Sequence, residues 1–244
     1  MAEVVRINKY LSEAGVCSRR EADREIAQGN ITINGKKAIM GDKVFPGDKV
    51  MFREKIVSKE KEAILIAVNK PKGIVCTSEK REANNIVDYV KYPKRIYPIG
   101  RLDKNSHGLI LMTNQGELVN KIMRSGNFHE KEYIVRVNRE VTKEFLQNMS
   151  QGVYLEELDM TTRPCHLKKV GKCTFHIILT QGMNRQIRRM CETFQYQVLD
   201  LKRIRIMNIQ LGNLKEGCYR EITKEEWEEL KEQMKESSSE TRWK

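Results

Sequence analysis

The sequence lacks the cysteine and histidine patterns of disulfide-rich or zinc-binding proteins. Its six cysteines are scattered and include no CxxC pair, and none has a histidine partner at zinc-finger spacing. Neither a disulfide framework nor a metal site is therefore expected. Reduced thiols, as in a cytoplasmic protein, fit this pattern better.

Long apolar runs are also missing. The longest, AILIAV at 63–68, falls far short of the roughly 18 residues that span a bilayer, and the first residues carry no apolar segment of a secretory signal. The sequence predicts a soluble cytoplasmic protein.

Several familiar catalytic motifs do not occur. The sequence contains no GxGxxG dinucleotide turn, no GxxxxGK[ST] phosphate loop, no HExxH and no GxSxG. The four histidines, which are isolated from one another, are His107, His129, His166 and His176. An isolated histidine is more often a surface or core residue than a ligand or general base. No cofactor is expected.

Positive charge is what the chain does have. Its 244 residues include 45 Lys and Arg against 33 Asp and Glu, which gives a net charge of +12. Such an excess is a common footprint of a protein that meets a polyanion. The plainer alternative is that the charge only keeps the protein soluble.

Residues 4–52 form a small unit of their own. Apolar residues at helical spacing end at Gly15, Ser18 and Glu21 make a capping box for a second helix, and the Asn34-Gly35 turn predicts a hairpin. The stretch RINKYLSEAGVCSRREADREIAQGNITINGKK resembles the S4 RNA-binding module. Basic residues predicted to reach RNA phosphates are Arg6, Lys9, Arg19 and Arg20.

A charged stretch at 53–62 is interpreted as a linker, and residues 63–235 as a second, larger domain. Strand and helix patterns alternate in that domain without an internal repeat. They predict an α+β fold, with a mixed, largely antiparallel sheet flanked by helices. The last residues, 236–244, are interpreted as a polar, disordered tail.

Four short islands stand out in the larger domain. They are NKPKG at 69–73, GRLDKNSHGL around Asp103, HEKEYIV around Tyr133, and QGMNRQIRRM before and within a predicted helix. Taken alone, Asp103 is as readily a turn-capping or ion-paired carboxylate as a functional one. Tyr133 alone is more typical of a strand tyrosine with its hydroxyl at the surface.

As an ordered set, the islands resemble the motif series of the pseudouridine synthases, and their combination with an N-terminal S4-like module resembles the RsuA-like branch of that family. The resemblance implies an enzyme that isomerises uridine in RNA without metal or cofactor. It implies Asp103 as the essential carboxylate, Arg188 as its cationic partner with Arg185 as the competing choice, and Tyr133 as the aromatic residue against the base. Residues expected to line the pocket or contact the RNA are Lys70, Arg101, Leu102, Lys104, Asn184, Arg185, Gln186 and Ile187.

The resemblance further implies ribosomal RNA, of the large subunit, as the substrate, presented as a stem-loop to a monomeric enzyme. Two alternatives stay open at this point. One is the same chemistry on transfer RNA, and the other is a non-catalytic RNA-binding protein of ribosome assembly.

Overall fold

The computed structural model describes residues 4–58 and 62–238 and divides the chain into two compact units. The first contains residues 1–64 with the short segments 92–96 and 114–116, and the second contains the remainder. In the described part of the chain, no helix combines the length and the apolar character needed to cross a membrane.

The first unit is two helices beside short strands. Its elements are β1 (Val5–Arg6), α1 (Ile7–Glu13), α2 (Arg19–Ala27), β2 (Ile31–Ile33), β3 (Lys36–Lys37), β4 (Lys43–Val44), β5 (Val50–Phe52) and β6 (Lys55–Ile56). Strands β3, β2, β5 and β6 form a sheet in that order, and β1 pairs with β4. The predicted capping box is confirmed, since Ser18 Oγ accepts from the Glu21 N–H and Glu21 Oε2 accepts from the Ser18 N–H.

Apolar residues from both helices and the strands close this unit around one core. It includes Ile7, Leu11, Ala22, Ile26, Ile31 and Val50. The interpretation of 53–62 as a linker is wrong for its first part, because β6 adds a strand to the sheet through Met51 and Ile56. Residues 59–61 of that stretch lie outside the described residues.

The second unit is built on one large sheet. Its strands are β7 (Leu65–Lys70), β8 (Tyr97–Ile99), β9 (His107–Thr113), β10 (Lys131–Val137), β13 (His166–Gly171), β14 (Thr174–Leu179), β15 (Val198–Ile206), β16 (Ile209–Gln210) and β17 (Tyr219–Glu221), with β11 (Tyr154–Leu155) and β12 (Met160–Thr161) pairing separately. The order is β13-β14-β10-β15-β9-β7-β17, with β16 on β15 and β8 on β9. All neighbours are antiparallel except β15 and β9.

Helices cover both faces of this sheet. They are α3 (Ile86–Val90), α4 (Gly116–Met123), α5 (Lys143–Ser150), α6 (Gln186–Thr193) and α7 (Lys224–Gln233), with 3₁₀ turns at Ser125–Asn127 and Glu156–Leu158. On one face, Leu109 and Leu111 of β9 pack with Ile122 of α4 and Leu230 of α7. The predicted α+β fold, with a largely antiparallel sheet between helices, is confirmed.

The opposite face packs through aromatic rings. Phe145 of α5 lies 5.6 Å from Phe175 of β14, 5.9 Å from Phe194 just after α6, and 4.0 Å from Tyr196, between ring centroids. Val135 of β10 pairs with Phe175, so the buried side chains of β10 lie on this same face of the sheet. Helices α5 and α6 therefore lie over β10 and β14.

The predicted polar tail begins with two residues, Ser237 and Ser238, that are hydrogen-bonded to the sheet domain. Ser237 Oγ lies 2.8 Å from His129 Nε2, and the Ser238 N–H donates to Asn127 Oδ1 at 3.2 Å. Residues 239–244 of the tail lie outside the described residues.

Candidate active site

The loop that carries Asp103 joins β8 to β9 and is tied down at several points. The Leu102 N–H donates to Cys76 Sγ at 3.3 Å, and the Gly73 N–H donates to Lys104 O at 2.8 Å. The Ser106 N–H donates to Asp103 O at 3.0 Å, which closes a turn. The NKPKG island and the Asp103 island are thus one structure, and Leu102 is buried within it.

Arg188 of α6 reaches this loop with a guanidinium that is held on two sides. Its Nη1 donates to Val198 O at 3.2 Å and its Nη2 to Ser106 Oγ at 3.3 Å. Its Nε lies 3.7 Å from Asp103 Oδ2, where the Arg188 side chain is 11% exposed and that of Asp103 is 33% exposed. A largely buried cation therefore lies close to a carboxylate that solvent or substrate can still reach.

The turn before α6 explains why Arg188 occupies this place. Arg185 adopts a left-handed conformation with φ +52° at the helix start, and its side chain is exposed. Gln186 is buried, and its Oε1 accepts from the Met183 N–H at 3.0 Å, so it holds the turn from inside. Asn184 accepts two hydrogen bonds from Arg189. Of the two candidate arginines, Arg188 is the one within ion-pair distance of Asp103.

Tyr133 lies on β10, on the face covered by α5 and α6. It is 9% exposed, pairs with Ile177 of β14 and Arg203 of β15, and has the Arg203 Cζ 6.0 Å from its ring centroid. Ile187 of α6 is also buried. An aromatic and an apolar side chain of this kind suit the walls of a pocket for a flat base.

The RNA-contact residues predicted from the islands divide into exposed and buried ones. Arg101, Lys104, Asn184 and Arg185 are exposed. Lys70 is fully buried, and its Nζ donates to Pro71 O at 2.8 Å. Desolvation lowers the pKa of the Lys70 ammonium. Lys70 was expected to contact the RNA, and its buried ammonium does not reach the surface; Gln186, expected to bind a phosphate, is buried as well.

A second charged group lies beside the loop. His107 Nε2 is 3.1 Å from Asp200 Oδ2, and Lys72 forms an ion pair with the other oxygen of the same carboxylate. Burial opposes ionisation of Asp200, but the hydrogen bonds from Lys72 and His107 prevail and lower its pKa. This network holds the start of β9 against β15, so the place of His107 is explained structurally.

In the first unit, three of the predicted RNA-binding residues, Arg6, Arg19 and Arg20, are exposed. Lys9 is half-buried and lies 3.6 Å from Glu13 one helical turn away. Exposed lysines at the β2–β3 hairpin, Lys36 and Lys37, extend the positive surface.

The groups around Asp103 do not form a metal-binding set. Over residues 4–58 and 62–238, no group of three or more His, Cys, Asp or Glu side chains is placed to hold a metal ion. The side chains that approach Asp103 are instead cationic or neutral.

Three buried polar residues of this region were not predicted from the sequence: Ser106, Lys131 and Arg203. Ser106 stands in the Asp103 island, so its motif position was a usable signal. Arg203 stands in a strand of alternating basic and apolar residues, LKRIRI, which is typical of a solvated face. Only its register with neighbouring strands shows that it is buried.

The fold and site together define an RNA-modifying class of enzyme, with a basic module of S4 type and a sheet domain carrying an Asp–Arg pair. Residues 64–193 match the family model of the RNA pseudouridylate synthases, and residues 5–58 match that of the S4 domain. The chain belongs to the RNA pseudouridylate synthase family, in its RsuA-like branch. The predictions of an isomerase and of an S4 module are confirmed, and the non-catalytic alternative is not supported.

Curated relatives and a solved structure agree with this assignment. The chain is 52% identical to the dual-specificity RNA pseudouridine synthase RluF of Escherichia coli K12, over 98% of this chain and 82% of that protein. It is 34% identical to the ribosomal large subunit pseudouridine synthase B of Bacillus subtilis, over 93% and 95%. A crystal structure of a pseudouridylate synthase superposes with a TM-score of 0.68 at 26% identity, covering 93% of this chain and 99% of that one.

Proposed function

We propose that this protein converts one or a few uridines of large-subunit ribosomal RNA to pseudouridine, with Asp103 as the catalytic carboxylate. The observation that carries the proposal is the Asp103–Arg188 pair, 3.7 Å apart, in a chain of this family. The large subunit is supported by the name of the Bacillus subtilis relative.

The reaction moves the uracil from a nitrogen to a carbon linkage. The bond between N1 and C1′ breaks, the base turns, and C5 bonds to C1′. The C5 proton then leaves, and N1 gains one. Atoms and charge balance without an oxidant, a hydrolytic water or a metal, so one carboxylate and a shaped pocket suffice.

Asp103 has two routes open to it. Its carboxylate attacks the sugar or base covalently, or it removes the C2′ proton and leaves a glycal. In either route the carboxylate must stay ionised when RNA excludes water. Arg188 supports this because a cation within about 4 Å favours the charged form of a carboxylate.

Binding requires the uridine to leave its stack, at a cost of a few kcal/mol in stacking and pairing. Tyr133 and Ile187 form the walls for the extruded base, and Tyr133 is the group proposed to assist removal of the C5 proton. Arg101, Lys104, Asn184 and Arg185 are exposed and suit the phosphates that flank the extruded base. A stem-loop is the preferred substrate, because unpaired bases are the easiest to extrude.

The two parts of the chain divide the work in this proposal. Residues 4–52 anchor structured RNA through their exposed basic residues, and residues 63–235 carry out the chemistry. The protein acts as a monomer in the cytoplasm. The monomer is supported by the origin of Asp103, Arg188 and Tyr133 in a single chain.

The test is pseudouridine mapping of total ribosomal RNA from cells that lack this protein, complemented with wild type or Asp103→Asn. We expect one or a few large-subunit sites to disappear and to return only with wild type. The Asp103→Asn protein must be present at wild-type level, as checked by immunoblot. Restoration by that variant would contradict the role of Asp103.

Transfer RNA is the second candidate substrate. It is favoured by the words "dual-specificity" in the name of the Escherichia coli relative, which imply more than one kind of target. Mapping transfer RNA from the same cells separates the two. A change in transfer RNA alone would replace ribosomal RNA in the proposal, and changes in both would extend it.

A further inference from the structure

Four residues lie in one row across four neighbouring strands of the large sheet. Tyr133 of β10 pairs with Arg203 of β15, Arg203 pairs with Gly108 of β9, and Gly108 pairs with Lys70 of β7. Residues paired directly across strands put their side chains on the same face. This is the face opposite the core formed by Leu109 and Leu111, and it is the face on which Tyr133 lies.

Gly108 puts no side chain in the middle of the row, and its backbone lies close to that of Arg203. A Cβ atom at this position would lie 2.3 Å from Arg203 O, and the backbone has φ +98°, a conformation that suits glycine. No side chain therefore stands between Arg203 and Lys70 in the row.

Arg203 is 1% exposed, yet its guanidinium is only partly satisfied. Its Nε donates to Leu109 O at 2.7 Å, whereas Nη2 is buried without a hydrogen-bond partner among the described residues. No described carboxylate lies within 4.0 Å of it. Leaving a buried donor unpaired costs about 1–3 kcal/mol, so the unpaired Nη2 of Arg203 needs an explanation.

The surroundings of Arg203 are positive. Desolvation and the charge of Arg203 lower the pKa of Lys131 to about 8. Desolvation also lowers the pKa of Lys70, and Asp103 acts against that change as one of the few negative charges that Lys70 senses. The buried cations Lys70 and Lys131 thus both interact electrostatically with Arg203, and Asp103 is one of the anions near Lys70.

We propose that Arg203 is a further catalytic residue, which donates Nη2–H to a carbonyl oxygen of the flipped uracil and stabilises the negative charge that the base gains. The inference rests on the proposed function. When the N1–C1′ bond breaks, its electron pair stays with the uracil and spreads over N1 and the carbonyl oxygens. C1′ then bonds to the Asp103 carboxylate, or C2′ loses its proton to that carboxylate and regains it when C5 bonds to C1′. Arg203 holds the base-centred charge until C5 attacks C1′.

Three variants test this inference. Arg203→Met removes the charge and the donors at similar volume, and Arg203→Lys keeps the charge with different donor geometry. Arg205→Met is the matched control, because Arg205 lies on the same strand but is bound by Glu130 and Glu132. The probe is a transcript of the large-subunit ribosomal RNA, and the readouts are single-turnover rate, RNA affinity and thermal unfolding midpoint.

We expect Arg203→Met to slow the single-turnover rate by about 10²–10³-fold, the usual cost of losing one preorganised donor to developing charge. RNA affinity should change little, and Arg203→Lys should fall between Met and wild type. Arg205→Met should keep a near wild-type rate. An Arg203→Met rate within about threefold of wild type would overturn the inference. Should Arg203→Met fail to fold, Arg203→Lys takes its place. Wild-type rates of Arg203→Lys on both the uridine transcript and the 5-fluorouridine transcript described next would also overturn the inference.

A second transcript, made with 5-fluorouridine, separates charge stabilisation from distortion of the site. Fluorine at C5 withdraws electrons and by itself stabilises the departing uracil anion. The ratio of wild-type to Arg203→Met rates, followed as consumption of the nucleoside by mass spectrometry, should therefore be smaller than with uridine. Equal ratios would indicate distortion and overturn the inference. Absence of pseudouridine from the unsubstituted uridine transcript with wild type would overturn the proposed function as well.

Discussion

Arg188 Nε lies 3.7 Å from Asp103 Oδ2, just beyond hydrogen-bond length, while both terminal nitrogens of the same guanidinium are already bound. Nε is buried and has no hydrogen-bond partner among the described residues. Catalytic hydrogen bonds are often long before substrate binds and shorten in the complex. The guanidinium is thus fixed in place with one donor left for Asp103.

Arg188→Met should therefore lower kcat by about 10²–10³-fold, because it removes the preorganised cation beside the reacting carboxylate. Arg188→Lys should recover only part of the activity, since an ammonium cannot bind Val198 O, Ser106 Oγ and Asp103 in one planar arrangement. The measurement is pseudouridine formation under single-turnover conditions with saturating RNA.

Arg189→Met is the matched control for this prediction. Arg189 is the next residue of α6, but its guanidinium binds Asn184 and Glu157. Its replacement should leave the rate of the chemical step near wild type. Equal defects at both positions would mean that α6 has been disturbed as a whole, and the assignment of Arg188 would fail.

Ser106→Ala should weaken the Asp103–Arg188 ion pair indirectly, because it removes a hydrogen bond that positions Arg188. Ser106 is fully buried, and its Oγ accepts from Arg188 Nη2 at 3.3 Å. Removing this bond should cost about 1 kcal/mol of stability and lower the rate less than Arg188→Met does. In a double-mutant cycle, the rate effects of Ser106→Ala and Arg188→Met should be non-additive by about 0.5–3 kcal/mol. Strict additivity would show that Ser106 acts independently of Arg188.

Gly108→Ala should destabilise the catalytic sheet. The added Cβ meets Arg203 O at 2.3 Å, and the left-handed φ alone costs about 1–3 kcal/mol for a residue other than glycine. Gly126→Ala is the control, because nothing lies within 4 Å of its Cβ position and no left-handed φ is found there. Urea unfolding should show a decrease of about 1–3 kcal/mol or more for Gly108→Ala, and a change within about 0.5 kcal/mol for Gly126→Ala. Similar small changes at both sites would contradict the close approach of β9 and β15.

The elements with strong local signals were predictable from the sequence. The Asn34-Gly35 turn forms the β2–β3 hairpin, and amphipathic patterns predict α4, α5, α6 and α7. Strand β13 was missed, because its residues HLKKVG are mostly exposed and do not alternate between apolar and polar. Helix α3 has only five residues, too few for a periodic pattern.

The candidate site was predictable only in part, because some of its residues owe their position to strand register. The islands carry Asp103, Arg188 and Tyr133, and choosing Arg188 over Arg185 agrees with the ion-pair distance. The same reasoning made Lys70 a residue that contacts the RNA, although it is fully buried. Whether a basic residue in a strand faces solvent or the interior depends on its register with partner strands, which one sequence does not reveal.

The basic residues of the first unit should set the salt dependence of RNA binding. Replacing the exposed Arg6 and Arg19 with Ala should weaken binding and make the slope of log K against log salt shallower by about 0.7–0.9 for each phosphate that the variant no longer neutralises. Filter binding of the large-subunit RNA transcript over a salt series measures this. The control is Lys231→Ala with Lys235→Ala, which removes the same charge from exposed lysines paired with Glu228 and Glu232. A slope that changes equally in both variants would assign the effect to net charge alone.

Lys131 should make stability depend on pH in the alkaline range. It is 2% exposed, its Nζ donates to His129 O at 3.0 Å, and desolvation together with Arg203 lowers its pKa from 10.5 to about 8. Between these two pH values the unfolded chain binds more protons than the folded protein, so the free energy of unfolding rises with pH. The penalty of the buried charge is fully present below about pH 8 and is relieved toward about pH 10.5, by at most roughly 3 kcal/mol.

Lys131→Met should remove this rise, because no buried ammonium remains to be deprotonated. At about pH 7 the variant should match or exceed wild type in free energy of unfolding, and between about pH 8 and 10 it should gain less than wild type does. Urea unfolding at several pH values measures both, with Lys231→Met, an exposed lysine, as the control. A wild-type pH dependence in Lys131→Met would mean that the ammonium of Lys131 is better solvated than its burial implies. The electrostatic coupling between Lys131 and Arg203 would then be weaker than inferred.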